Sequence, residues 1–301
     1  MGKTLARQFS FYMRKIMGEL FKRNAVVTFG QLGKDGVSVD GLRVLFKIKK
    51  TSEKTPNPGQ IKIYNLNSTS RAILESGKAA IDTKTGKKES IHKIAIILNV
   101  GYGPSVDQLF IGNVTKAKTE KQGPDLITTI EAGDGEKAFT EARLDKSYSA
   151  GTSYKTMFKD ILKSMKDAGG IALGALDSIK NEVTQNGITL SGISNVLLSK
   201  LTDRQGLEWS IQDHELQILK ILSSSNTKAI LLTPETGLIG RPVKTDKGIE
   251  FKALLNTKIK PGGLVRIESN SLDATILISE AVFDGDTHGE VFSISGVGGE
   301  I

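Results

Sequence analysis

Six short segments between residues 25 and 132 constrain the fold of this chain more than any other feature. In one of them, Leu42–Lys49, the apolar Val44, Phe46 and Ile48 alternate with polar positions, which is typical of a strand with one buried face. Glycine, proline and polar residues separate the segments, as expected between antiparallel strands. The predicted strands are Ala25–Gly30, Leu42–Lys49, Gln60–Asn65, Ile91–Gly101, Leu109–Lys116 and Leu126–Ala132.

One short helix is predicted among these strands. Ser68 is a suitable cap for Thr69–Glu75, and Gly77 can end the helix in a left-handed conformation. Six strands and a single short helix in about 110 residues predict a β-barrel or a β-sandwich for this part of the chain.

Helical periodicity replaces the strand pattern after Gly151. Ser153 is a candidate cap, and Gly169 with Gly170 can stop the helix. The predicted apolar stripe of this helix consists of Met157, Phe158, Ile161, Leu162 and Met165. The segment therefore belongs to a different kind of module from the strands before it.

A second predicted helix, Ile193–Arg204, precedes a predicted strand pair. We expect Val196, Leu197 and Leu201 to point inward from this helix. The strands of the pair are Leu207–Ile211 and Leu216–Leu222. We predict that Trp209, with apolar residues two positions away on either side, lies in the core of this mixed module.

Strands resume after the polar run at Ser223–Asn226, which indicates a linker because small polar residues turn readily. Each strand either alternates apolar and polar residues or is a continuous apolar run, and Pro-Gly-Gly and Gly-Asp sequences separate the strands. We expect Gly285–Thr287 to be one of the turns. The predicted strands are Ile249–Leu255, Leu264–Ser269, Thr275–Val282 and Glu290–Val297. They predict a second small β-module.

The predicted fold class is α+β and β-rich. It has two small antiparallel β-barrel modules, an intervening α/β module and an N-terminal amphipathic helix. The predicted boundaries are residues 1–24 for a basic arm, 25–135 for the first β-barrel, 136–225 for the mixed α/β domain and 226–301 for the second β-barrel. A chain of 301 residues is natural for such a multi-domain arrangement.

The N-terminal arm carries most of the net charge. Residues 1–24 contain six lysines and arginines against one glutamate, which gives +5 of the total +8. Read as a helix, the arm has an apolar stripe beside a basic face. The candidate partner-binding residues are Leu5, Phe9, Met13, Arg14, Lys15, Ile16 and Leu20. We interpret the arm as a helix docked on a partner subunit or on its own body; a membrane-surface or nucleic-acid role and a transit peptide remain open.

Motifs for chemistry are weak throughout the chain. The absence of cysteine excludes disulfides, zinc-thiolate sites and iron–sulfur clusters. Gly133–Ala138 superficially matches a dinucleotide fingerprint, but its acids would repel phosphate, so we interpret it as a turn at a module boundary. Asp284, Asp286 and His288 resemble half of a calcium loop that lacks its final glutamate. We predict no catalytic residue, no metal and no cofactor, and we expect each of the three histidines to lie on the surface.

Six further motifs occur in one order along the chain and together resemble baseplate hub proteins of contractile-tailed bacteriophages. The resemblance covers Ala25 to about Val297, so the basic arm lies outside it. The motifs are Gly41–Phe46, Ile61–Leu66, Val100–Tyr102, Leu109–Gly112, Leu232–Gly240 and Ile259–Gly262. The predicted strand Gly248–Asn256 and the segment Gly285–Thr287 also occur in the order that this family shows.

The resemblance implies a structural virion protein of the tail baseplate, synthesised in the host cytoplasm, and not an enzyme. It implies that the β-barrels are tail-tube-like and that a homotrimer adapts the sixfold tail tube to the threefold central spike and nucleates tail assembly. The implied partners are the chain itself, the tail tube or tube-initiator protein, the central spike protein and possible contacts with the tape measure and other baseplate proteins, without specific nucleic-acid recognition. The alternative function is nucleic-acid or membrane-surface binding through the basic arm.

Overall fold

The computed structural model describes residues 22–31, 35–76, 94–174, 179–220, 224 and 228–301. The first part of the chain is a β module that contains one helix, as the alternating sequence predicts. Its strands are β1 (Arg23–Gln31), β2 (Val37–Val39), β3 (Val44–Thr51), β4 (Pro58–Tyr64), β5 (Ile94–Tyr102), β6 (Ser105–Gln122) and β7 (Asp125–Gly133), and its helix is α1 (Ser68–Ser76).

A mixed α/β module follows, and a second β module completes the chain. The mixed module consists of α2 (Glu136–Glu141), β8 (Arg143–Tyr148), α3 (Tyr154–Gly169), β9 (Ala172–Leu173), β10 (Ile188–Ile193), α4 (Ser194–Gln205), β11 (Leu207–Gln212) and β12 (Glu215–Lys220). The second β module consists of β13 (Ile230–Leu232), a 3₁₀ turn (Pro234–Thr236), β14 (Leu238–Thr245), β15 (Gly248–Leu254), β16 (Leu264–Ser269), β17 (Leu272–Asp286) and β18 (Phe292–Glu300).

The two β modules share one hydrogen-bonded sheet of 13 strands. Its main path runs β14-β15-β18-β17-β3-β4-β7-β6-β5-β1-β2, with β16 beside β17 and β13 beside β16. The prediction of a β-rich α+β fold is confirmed, but the described strands pair along an open path and form no closed barrel. Strand β3 pairs with β4 along one edge and with β17 of the other module along the other edge. The sheet therefore continues into the second module at the point where a separate barrel would have closed.

The seam between the β modules is the antiparallel pairing of β3 with β17. Phe46 of β3 lies opposite Gly285 of β17, and Ile48 lies opposite Phe283. A Cβ atom at Gly285 would approach the Phe46 ring to 2.3 Å, so a side chain there would displace a buried aromatic ring. The glycine therefore belongs to the strand and permits close packing, and the prediction of a turn at Gly285–Thr287 is wrong in this respect.

Two separate hydrophobic clusters lie within the described residues. One runs through both β modules and includes Phe46, Phe110 and Phe283. The other belongs to the mixed module and includes Phe158 and Trp209. The Trp209 side chain is 2% exposed, as predicted for a core residue. The exact domain boundaries stay a prediction, but the mixed module has a core of its own.

Helix α3 forms as the sequence predicts. The Ser153 hydroxyl accepts a hydrogen bond from the Thr156 amide, and Gly170 ends the helix with a φ of 73°. Each member of the predicted apolar stripe is buried. The cap of α1 is different from the prediction, because the Asn67 side chain accepts from the Ser70 amide at 2.8 Å. Gly77 lies outside the described residues.

Helix α4 is rotated relative to the prediction. Val196 is 48% exposed, whereas Leu197, Leu198 and Leu201 are buried against the mixed-module core. The sequence analysis also missed the antiparallel pair of β8 and β10. Strand β8 is rich in polar and charged residues and lacks the apolar alternation that predicts a strand. Strand β10 does alternate at Ile188 and Leu190, but this signal is only a few residues long.

Candidate assembly site

The turn between β11 and β12 carries the mixed module's polar contacts with the β sheet. Asp213 and His214 form the turn with φ values of 57° and 65°. Two consecutive left-handed residues are the geometry of a tight hairpin turn, which asparagine and aspartate tolerate better than most residues. The turn places the carboxylate of Asp213 and the ring of His214 against groups from both β modules.

A buried lysine of the first β module is paired with this turn. Lys50 of β3 is 1% exposed, and its Nζ lies 2.5 Å from the Asp213 carboxylate. Lys260 of the second β module approaches the other oxygen of Asp213 at 3.5 Å. The Lys50 ammonium also lies 5.8 Å from the centre of the Phe283 ring. One carboxylate from the mixed module thus binds cations from both β modules.

Amide side chains close a second set of contacts at the same junction. Asn57 accepts a hydrogen bond from the Thr51 amide at 2.8 Å and donates to the Ile211 carbonyl at 2.8 Å. Gln212 donates to the Thr51 carbonyl at 2.6 Å. Asn57 and Gln212 are each 1% exposed. Buried amides with well-aligned partners fix a single orientation, because any displacement leaves polar groups without hydrogen bonds.

Asp134 completes the junction from the end of β7. Its carboxylate is 1% exposed on the side chain, accepts from the His214 amide at 2.8 Å and lies 3.1 Å from the His214 Nδ1. The Asp134 amide donates to the Asn57 carbonyl at 3.0 Å. The predicted turn is therefore shorter than Gly133–Ala138: Asp134 and Gly135 form it, and they connect β7 directly to α2. The surface prediction for His214 is wrong, because its side chain is only 13% exposed.

An arginine–aspartate pair reinforces the seam between the β modules. Arg43 donates to both oxygens of Asp286 at 3.1 and 2.6 Å and stacks 4.8 Å from the centre of the Tyr64 ring. Burial raises the pKa of Asp286, but hydrogen bonds from Arg43 and from the His288 amide outweigh it, so the pKa lies below its ordinary value of 3.8. Asp286 thus forms a bidentate ion pair with Arg43 across the seam.

Strand β14 is an open edge of the sheet with exposed apolar residues. It pairs only with β15 along the main path, and a bulge interrupts that pairing between Ile239 and Val243. Ile239 is 40% exposed and Val243 is 55% exposed. Pro242 lies within the bulge, and a proline lacks the amide needed for continuous pairing. An open edge with apolar side chains is suited to contact another chain.

Groups typical of an enzyme site do not assemble in the part of the chain that the structure describes. No cluster of three or more histidine, cysteine or acidic side chains in that part could hold a metal ion. None of the described helices combines the length and the apolar character needed to span a membrane. The predicted arm residues Leu5, Phe9, Met13, Arg14, Lys15, Ile16 and Leu20 lie outside the described residues, so their role stays a prediction.

One residue of the junction, Lys50, stands out in the sequence as a charged residue at an inward position of a strand. In β3 the inward positions are Val44, Phe46, Ile48 and then Lys50. A lysine at an inward position of a buried strand requires a partner. That partner, Asp213, lies 163 positions later in a turn, and no local pattern links the two.

The family described as Baseplate hub gp41 matches residues 25–298. The chain belongs to this family. The family resemblance drawn from the sequence motifs is thereby confirmed, and it includes both β modules and the mixed module. Membership in the baseplate hub family makes the chain a bacteriophage tail protein of structural type and implies a place in the virion tail. No curated protein matches the chain in sequence.

Solved structures share the fold of this baseplate hub at low sequence identity. The 43 kDa tail protein of prophage MuSo2 from Shewanella oneidensis is 12% identical with a TM-score of 0.58, over 91% of this chain and 97% of that one. A tail protein from Neisseria meningitidis MC58 is 8% identical with a TM-score of 0.57, over 92% and 96% of the two chains.

A third structure comes from a secretion machine. It is an E. coli component of the type VI secretion system, described as structurally similar to the T4 bacteriophage tail proteins gp27 and gp5. It is 10% identical with a TM-score of 0.58, over 91% of this chain and 76% of that one. At such identities the likeness establishes the fold of the hub and nothing further about its partners.

Proposed function

We propose that this baseplate hub forms a homotrimeric ring that joins the sixfold tail tube to the threefold central spike and nucleates tail assembly. Each chain contributes two β modules, and each of these modules acts as a tube-like unit. A trimer then presents six such units to the tube while it keeps threefold symmetry toward the spike. The proposal assigns the chain no catalytic activity.

The observation that carries this proposal is the single sheet that spans both β modules of one chain. A sheet that continues from β7 through β3 and β17 to β14 holds the two units at a fixed spacing and angle. The polar junction around Asp213 adds the mixed module to the same rigid body. A rigid adaptor is what a symmetry mismatch requires, because both interfaces must be satisfied by one arrangement of subunits.

The edge strand β14 supports a contact between neighbouring copies. Heterologous contacts close into a ring when one surface of a subunit fits a different surface of the next. Val243 lies at the exposed edge and offers apolar area, while the main chain of β14 offers hydrogen bonds. The partners proposed for the assembled ring are the tube or tube-initiator protein on one face and the spike on the other.

A pair of valine variants tests this function. Val243→Glu places a charge on the edge strand, and Val196→Glu places the same charge on the exposed face of α4, where the valine is similarly exposed. We expect both variants to fold, since neither valine is buried. We expect Val243→Glu to lose the trimer, measured as the solution mass by light scattering after gel filtration, and Val196→Glu to retain it. A trimer formed equally by both variants would exclude the β14 edge from the contact between copies.

A further inference from the structure

A groove of about 830 Å³ lies between the two β modules, away from the seam of β3 and β17. The turn between β5 and β6 forms one wall, and the 3₁₀ turn with the loop after β15 forms the other. Tyr102, Leu232 and Leu254 contribute apolar lining. The Tyr102 hydroxyl accepts a hydrogen bond from the Leu255 amide at 3.1 Å, which ties the two walls together at the base of the groove.

The N-terminal arm enters the described structure at the rim of this groove. The carbonyl of Lys22 accepts a hydrogen bond from the Gly103 amide at 2.6 Å. Gly103 directly follows Tyr102, which lines the groove. The 21 residues before Lys22 therefore start beside the apolar lining, and the chain needs no additional linker to reach it.

The chemistry of the groove matches that of the arm. The arm has an apolar stripe and a basic face, and its first 24 residues hold six lysines and arginines against one glutamate. The groove supplies apolar surface together with the acidic Asp107 and Glu235, and Lys258 is the one basic residue among the described residues that line it. An amphipathic helix laid in an apolar groove with opposite charges at its edges is a recurring mode of recognition.

We propose that residues 1–21 dock as an amphipathic helix in the groove of their own chain. The apolar stripe that includes Ile16 and Leu20 faces the half-buried Tyr102 and Leu254. The basic face, which includes Lys15, lies toward solvent and the acidic rim. Docking in this way gives the arm a structural role, because it adds a second contact between the two β modules, separate from the seam of β3 and β17.

The reach of the arm is consistent with this placement. Ile16 precedes Lys22 by six residues, and six residues of helix rise about 9 Å. This rise keeps Ile16 close to the groove, because Lys22 is hydrogen-bonded to Gly103 beside the lining residue Tyr102. Lys15 has nearly the same tether but lies about 100° round the helix from Ile16, outside the apolar stripe, since successive residues are rotated by that angle.

Engineered disulfides in the full chain test the proposal, because the natural sequence contains no cysteine. One double variant carries Ile16→Cys and Thr257→Cys, where Thr257 lines the groove. The matched control carries Lys15→Cys and Thr257→Cys. Disulfide formation requires Cα atoms within about 7 Å. We expect the Ile16 variant to form an intrachain disulfide on mild oxidation with a yield several-fold above that of the Lys15 variant.

The other outcomes overturn the proposal. Equal yields from the two variants would mean a tethered arm without a docked face, because both cysteines have the same local concentration. The absence of a disulfide in both variants would exclude the groove. Disulfides found only between chains, identified by mixing isotopically heavy and light protein, would assign the groove to the arm of a neighbouring copy.

A charge reversal tests the electrostatic match separately. We expect Glu235→Lys to lower the yield of the Ile16 disulfide by several-fold, because the rim would then repel the basic face of the arm. Glu208→Lys, an exposed glutamate on β11 in the mixed module, is the control and should leave the yield unchanged. An unchanged yield with Glu235→Lys would overturn the charge match on which the proposal rests.

Discussion

At the scale of single residues, the junction between the modules depends on one buried charge. Lys50 is almost fully buried, and Asp213 is the acceptor that lies closest to it. A buried charge without its partner costs several kcal/mol because it has lost its hydration. The pair therefore does more to select one arrangement of the modules than to add net stability.

We predict that Asp213→Asn lowers the free energy of unfolding by about 3–5 kcal/mol, since it leaves the Lys50 ammonium without an anion. Asparagine keeps the left-handed turn conformation, so the variant isolates the charge. Urea unfolding measures the effect. The matched control is Asp203→Asn, which breaks the exposed pair with Lys54 between the same two modules and should cost less than about 1 kcal/mol. Equal losses in the two variants would contradict the role of the buried pair.

The Arg43–Asp286 pair predicts a pH dependence of stability. The pKa of Asp286 is lower in the folded protein than its ordinary value of 3.8, so its stabilising effect is present above that value and is lost as the pH falls through the folded pKa. We expect wild type to be more stable than Arg43→Met at about pH 6, and the difference to shrink by about pH 2.5. Urea midpoints at both pH values measure it.

The control for this experiment is Lys244→Met, which removes an exposed partner of Glu300. It should change stability little at either pH, because exposed pairs contribute little. A gap between wild type and Arg43→Met that widens on acidification would contradict the assigned ion pair.

At the scale of secondary-structure elements, local sequence signals predict those helices and strands whose stabilising contacts lie close together in the chain. Helix α3 has its cap, its stripe and its glycine stop in adjacent positions, and all of them are confirmed. Strand β3 likewise follows its alternation. By contrast, β17 is 15 residues long and pairs with β16, β18 and β3, and no short window of sequence predicts which partners a strand will choose.

We predict that Ser153→Ala lowers the free energy of unfolding of the mixed module by about 1 kcal/mol, because the first turn of α3 loses its capping acceptor. The chain has one tryptophan, and Trp209 shares a hydrophobic cluster with α3, so its fluorescence reports this module directly. Lys159→Ala, at an exposed position of the same helix, is the control and should stay within about 0.5 kcal/mol of wild type. A larger loss from the lysine change would contradict the cap assignment.

At the scale of the whole molecule, one sheet unites two modules that the sequence pattern presented as separate barrels. The pattern identifies two β-rich segments and a mixed segment between them, but it contains no information on the pairing of β3 with β17. That pairing joins residues more than 200 positions apart. The family resemblance supplied what periodicity did not, namely the class of protein to which such an arrangement belongs.

The same limit applies to the candidate assembly site. The turn within Gly133–Ala138 was predictable from its glycines and acids. The cluster around Asp213 was not, because it gathers Lys50, Asn57 and Asp134 from distant strands. The inward position of Lys50 in β3 is the one trace of this cluster in the strand pattern, and it does not identify the partner.

The most direct test of the proposed hub function is the solution mass of the full chain, measured by light scattering after gel filtration over a concentration series, alone and with the spike protein. One chain has a mass of 32.4 kDa, so a trimer has a mass of about 97 kDa. We predict the trimer, stable to dilution, because closed threefold symmetry satisfies every interface. A mass of one chain at all concentrations, both alone and with the spike present, would contradict the proposed ring.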